Sequence, residues 1–90
     1  MLRITHDRAD PQRCLLRLEG RLVGPWVSEL QELCEQAINE GLAVTLDLNE
    51  VRFVDHAAAQ LLSRLADQEV RLAGGSPFVL EQLRNGRQMA

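Results

Sequence analysis

Leu46-Asp47-Leu48-Asn49-Glu50-Val51-Arg52-Phe53-Val54-Asp55-His56-Ala57-Ala58-Ala59-Gln60-Leu61-Leu62 decides the fold: it reads as a buried strand, a short turn and a helix whose first turn faces solvent. Val44, Leu46 and Leu48 alternate with Ala43, Thr45 and Asp47, so a strand with one buried face is expected from Ala43 to Leu48. Asp47, at its end, is expected to bond within the turn. Asp55 stands where a helix should begin, and its carboxylate suits the free N–H groups and positive dipole of a first helical turn. Ala58, Leu61, Leu62 and Leu65 then recur at helical spacing and turn inward, leaving His56, Gln60, Ser63 and Asp67 towards water.

Working outward, Leu2 to Thr5 and Arg13 to Glu19 read as an antiparallel hairpin around the polar turn His6 to Gln12, where Asp10-Pro11 favours reversal. Gly24-Pro25 opens a helix, since proline at the first helical position sacrifices no needed N–H. Trp26, Leu30, Leu33, Cys34, Ala37 and Ile38 form its apolar stripe, with Trp26 expected in the core and Gly41 as a left-handed cap. The helix from His56 is expected to reach about Gln68, followed by a strand from Val70 to Ala73. Ser76 caps a last helix with Pro77 in its first turn and Val79, Leu80 and Leu83 inward, closing near Asn85-Gly86 before a frayed tail at 87–90.

The strands share one polarity. Arg3, Thr5, Arg17, Glu19, Thr45 and Arg71 fall on one face, whereas Leu2, Ile4, Leu16, Leu18, Val44, Leu46 and Leu72 fall on the other. A sheet covered on both sides would show continuous apolar strands, so one face is expected to be solvated. Sequential strand order with right-handed crossovers places the first two helices together on the apolar face. The expectation is an α/β fold, a mixed four-stranded sheet with about three helices.

Three stretches in this order resemble the STAS domain family, the fold of anti-sigma factor antagonists and of cytoplasmic domains of sulfate transporters. Leu46-Asp47-Leu48 leading to Phe53-Val54-Asp55 is similar to the family's strand and helix-start box; Leu16-Arg17-Leu18-Glu19-Gly20-Arg21-Leu22 is similar to its second strand with a Gly-x-Leu exit; Ala73-Gly74-Gly75-Ser76-Pro77 is similar to its last strand-to-helix turn. The resemblance covers nearly the whole chain. It implies that the loop after the second strand lies beside the second helix, joining Arg21, Val23 and Gly24 to Asp55, His56, Ala57 and Gln60 in one partner-binding surface.

One departure changes the chemistry. Where antagonists carry a serine or threonine that a partner kinase phosphorylates, this chain has His56, followed by Ala57 and Ala58. No hydroxyl stands in that first turn. An imidazole is also no mimic of phosphoserine, because it never carries negative charge near neutral pH. His56 therefore reads first as an exposed helix-start residue, next as an interface contact, and last as a phosphoacceptor or catalytic base. Asp55 reads as a cap before it reads as a catalytic group: adjacent residues at a helix start point in different directions, and no nucleophile motif lies nearby.

Composition narrows the rest. Ninety residues suit one small domain over 1–90, with a core that must be mostly aliphatic because only one tryptophan and two phenylalanines are present. All ten basic residues are arginine, interspersed with acids at a net charge of −3, which argues against a nucleic-acid surface. No apolar run suggests a membrane span or signal peptide, and a cytoplasmic location is expected. Cys14 and Cys34 lack metal-ligand spacing and are expected as buried thiols; no metal or cofactor is expected.

The sequence thus implies a non-enzymatic interaction module resembling an anti-sigma factor antagonist without its serine switch. Its expected partner is an anti-sigma factor or kinase-like regulator. Two alternatives stand beside it: an accessory subunit of a membrane lipid-transport ATPase, and an enzyme using Asp55-His56 as an acid–base pair. A homodimer also stays open.

Overall fold

Alternation in the strands and apolar stripes in the helices produce the expected architecture in a computed structural model, which describes residues 2–7 and 10–88, the side chains of 84–88 excepted. The elements run β1 (Leu2–Asp7), β2 (Arg13–Leu22), α1 (Pro25–Asn39), β3 (Ala43–Val54), α2 (His56–Asp67), β4 (Arg71–Ala73) and α3 (Pro77–Gln88). They form a four-stranded sheet in the order β1-β2-β3-β4, antiparallel between β1 and β2 and parallel across the other two pairs. Leu16, Leu18, Leu46 and Leu48 of the sheet pack with Leu30, Cys34, Leu61, Leu62 and Leu65 of α1 and α2 in one core. Among the described residues the fully buried side chains include no charged group and no aromatic ring.

The largest difference from the sequence expectation lies in β3. The strand does not end at Leu48, and no turn occupies 49–53; β3 continues to Val54. Its register against β2 slips twice, between the pairs Arg17↔Asp47 and Glu19↔Glu50 and between Gly20↔Val51 and Arg21↔Phe53, each slip inserting one extra residue into β3. Such bulges shift the side-chain period, so the core positions run Leu48, Val51, Val54 rather than every second residue. A polar Asn49-Glu50 inside a bulged strand looks, in sequence, like a turn. Asp47 accordingly sits within the strand, where Oδ1 accepts from Asn49 N–H at 3.0 Å and Oδ2 lies 3.5 Å from the Arg17 guanidinium.

Smaller corrections follow the same logic of tertiary pairing. β1 extends to Asp7 because His6 and Asp7 find partners in Leu16 and Leu15, and the reversal tightens at Asp10, whose Oδ1 accepts from Gln12 N–H. Trp26 is half-buried against the core and not enclosed in it. Gly41 takes the expected left-handed conformation, φ +80°, after α1. Ser76 Oγ accepts from Val79 N–H at 3.2 Å, as an N-cap should. α3 runs past Gly86 to Gln88, so of the expected tail only 89–90 lie outside the described residues. Leu80 is 50% exposed, not inward, because Val79 takes the buried position on that turn.

β4 is three residues long and leaves the C-terminal half of β3 without a strand on that side. Helix α3 takes its place. Gln82 Oε1 accepts from the Val54 N–H at 3.2 Å, satisfying a backbone donor that a longer β4 would have paired. Gly74, at φ +75°, is pressed against the Asn49 side chain with no room for a Cβ, which fixes the path from β4 into α3 beside the bulge. Both thiols are buried, and burial, with Cys14 and Glu35 nearby, pushes Cys34 up to about 11. No helix among the described residues is long and apolar enough to cross a membrane.

Candidate functional site

Parallel pairing places the C-terminal ends of β2 and β3 side by side, with Arg21 opposite Phe53 and Leu22 opposite Val54. The chain leaves that edge in two directions, through Val23-Gly24 into α1 and through Asp55 into α2. Asp55 ties the two exits together. Its backbone N–H donates to Leu22 C=O at 3.2 Å, Oδ1 accepts from Ala58 N–H at 2.8 Å, and Oδ2 accepts from Gly24 N–H at 3.0 Å. The first two bonds are ordinary for a strand end and an N-cap. The third crosses 31 residues of sequence and fixes the β2–α1 loop against the start of α2.

Extended backbone at Asp55, φ −83° and ψ 179°, lets the carboxylate reach back over the first turn of α2. The N–H groups of His56 and Ala57 have no intrahelical acceptor at those positions. His56 and Ala57 are exposed, while Ala58 and Ala59 are buried in the core. Gln60, one turn after His56, shares its helix face and is half-buried. Gly24 is exposed at φ +55°, Val23 is half-buried and Arg21 is exposed. The structure thus brings Arg21, Val23, Gly24, Asp55, His56, Ala57 and Gln60 to one rim of the molecule.

The rim is held by backbone donors that converge on one carboxylate. Both Asp55 oxygens are occupied by backbone donors, and the carboxylate does not bond the His56 ring. His56 makes no side-chain hydrogen bond or ion pair with the described residues. The opposite, solvated face of the sheet holds a separate shallow depression of about 810 Å³, in which Arg3, Arg17 and Arg52 alternate with Glu19, Asp47 and Glu50. Its mixed charges include the Arg17–Asp47 pair. Two features of the rim had no signal in the sequence: the Gly24–Asp55 bond, which needs the fold, and the ring of Phe53, which the bulges turn away from the core.

Comparison with known proteins places the fold. The family model described as "Mlab, STAS domain" matches residues 5–87, and the chain belongs to the STAS domain family. Among solved structures, the chain is similar to the anti-sigma factor antagonist SpoIIAA in its unphosphorylated form, with 19% identity over 91% of this chain and 82% of that one, and a TM-score of 0.72. It is also similar to part of Mglu, with 21% identity over 81% of this chain but only 19% of Mglu, at a TM-score of 0.61. The native form of Mglu gives 20% identity over 80% of this chain and 22% of that one, at a TM-score of 0.56. At these identities the likeness is one of fold. No curated protein sequence matches the chain.

Proposed function

We propose that the chain works as a single, cytoplasmic, non-enzymatic interaction domain that docks a protein partner on the rim of Arg21, Val23, Gly24, Asp55, His56, Ala57 and Gln60, in the manner of an anti-sigma factor antagonist lacking the serine switch. The observation that carries this reading is the Asp55 carboxylate, shared between Gly24 N–H and Ala58 N–H. It holds a loop and a helix start in one arrangement, and a surface fixed before binding loses less entropy on docking. The same bonds speak against an acid–base pair, because the carboxylate faces backbone donors instead of the imidazole. The partner is an anti-sigma factor or kinase-like regulator; capture of a transporter ATPase subunit in its place would move the domain to the accessory role in lipid transport.

A pull-down from native lysate with the full chain identifies the partner, and His56→Glu then tests the surface. Binding should weaken about tenfold, since the change alters shape and places a negative charge at the centre of the contact. The fold should keep its melting temperature, because an acidic residue suits the first turn of a helix. Unchanged affinity would move the function to the solvated sheet face. A second outcome concerns regulation: incubation with an anti-sigma kinase and ATP should leave 55–60 free of phosphate, since no hydroxyl occurs there. Phosphate on His56 by mass spectrometry would refute this.

A further inference from the structure

Two large apolar side chains among the described residues stand in solvent, Phe78 at 57% exposure and Leu80 at 50%, both in the first turn of α3. Phe78 belongs to a larger arrangement, whereas Leu80 leaves the helix on the other flank of the buried Val79 and lies over Gly75. The Phe78 ring lies 6.3 Å from that of Phe53, tilted by 31°, and the Arg21 guanidinium sits 5.2 Å from the centroid of the Phe53 ring. Ring pairs of this spacing and a cation over a ring face are both attractive, so the side chains hold one another in place. Arg21 forms no ion pair with a carboxylate of the described residues; its charge is positioned by an aromatic face and remains open to a partner.

We infer that Arg21, Phe53 and Phe78 form an anchor for a protein segment that carries an apolar side chain beside a carboxylate, and that this segment belongs to the partner docked on Asp55 and His56. The inference rests on the interaction role proposed above and adds its chemistry. Aromatic rings and arginine are the side chains that concentrate binding energy at interface centres. The Arg21 guanidinium, which has no ion pair among the described residues, selects an acidic group, and the exposed Phe78 selects an apolar one next to it.

Size and position choose the occupant. The exposed portion of Phe78 amounts to roughly 100 Å², far short of the roughly 800 Å² per partner that a stable interface buries. A second copy held by this patch alone would not persist. The patch is, however, continuous with the rim: Arg21 pairs with Phe53, Leu22 with Val54, and Asp55 N–H bonds to Leu22 C=O. Phe53 and His56 are three peptide steps apart, at most about 11 Å between Cα atoms. One partner surface spans both.

The test uses the full chain in the cells that naturally express it, with the photo-crosslinking residue p-benzoylphenylalanine placed at position 78, at 53 or at 56. A melting temperature within a few degrees of the parent's establishes that each variant is folded, and position 53 serves if position 78 is not tolerated. After irradiation, positions 78 and 56 should capture the same protein. The peptide joined to position 78 should contain Asp or Glu within one turn or two residues of an apolar side chain. Arg21→Glu should lower that adduct about tenfold, while Arg21→Lys, which keeps the charge but loses the planar stack on Phe53, should fall between Arg21→Glu and the parent. Adducts from position 56 without any from 78 or 53 would overturn the anchor and leave the interaction role standing. Capture of a second copy by position 78, or of a segment without acidic residues, would also overturn it. No adduct from any position would overturn both.

Discussion

Leu62→Ala should lower the free energy of unfolding by about 2–5 kcal/mol, measured by urea denaturation followed by far-UV circular dichroism. Leu62 is 0% exposed and lies in the face of α2 that fills the core against the sheet. Truncation removes buried methyl groups and leaves a cavity, and a core this closely packed collapses only partly around it. A domain of 90 residues holds only about 5–10 kcal/mol in reserve, so the variant approaches the threshold of folding. The melting temperature should fall by about 10 °C or more. Partner affinity, corrected for the folded fraction, should stay unchanged. A loss below about 1 kcal/mol would show that the side chain is not packed as described.

Asp55→Ala should cost about 1–3 kcal/mol and also weaken partner binding, an effect on both readouts that Leu62→Ala should not share. Removing the carboxylate strands the Ala58 N–H at the helix start and releases the Gly24 N–H of the β2–α1 loop. Asparagine separates the two roles. Its one carbonyl oxygen can cap α2, whereas its amide is a donor and cannot accept from Gly24. Amide exchange followed by NMR should therefore show the Gly24 amide unprotected in both Asp55→Ala and Asp55→Asn, and the Ala58 amide unprotected only in Asp55→Ala. If the Gly24 amide exchanges at the same rate in Asp55→Ala as in the parent protein, the tether is absent and the rim is not held in one arrangement by Asp55.

The two variants divide the molecule along the line between what repeats in the sequence and what does not. Leu61, Leu62 and Leu65 were readable as core because helical spacing forces them to one side. The same is true of Leu16, Leu18, Leu46 and Leu48, where alternation along a strand sets the buried face. Asp55 was readable as a cap because the helix dipole and the free N–H groups of a first turn favour a carboxylate just there. Its second bond was not, since the Gly24 N–H comes from a loop 31 residues away.

Where periodicity fails, sequence reading fails with it. β3 adds a residue at each of two bulges, and its core positions move from even to odd and back, Leu48, Val51, Val54. Neither the length of β3 nor the outward turn of Phe53 follows from residue types alone, because a bulge is a register between two strands and exists only when both are paired. Leu80 fails for a related reason: α3 offers more apolar residues than its contact with the core can bury, and packing gave the place to Val79.

The sequence by itself determined the element order, the polarity of the sheet, the aliphatic core and the absence of a hydroxyl at the start of α2, since each depends on residue type and local period. Tertiary structure alone decided the bulged path of β3, the capping of its edge by Gln82, the Asp55 link to Gly24 and the stacking of Arg21, Phe53 and Phe78. These join residues far apart in the chain, and such contacts acquire their geometry only after the core has brought the strands and helices together.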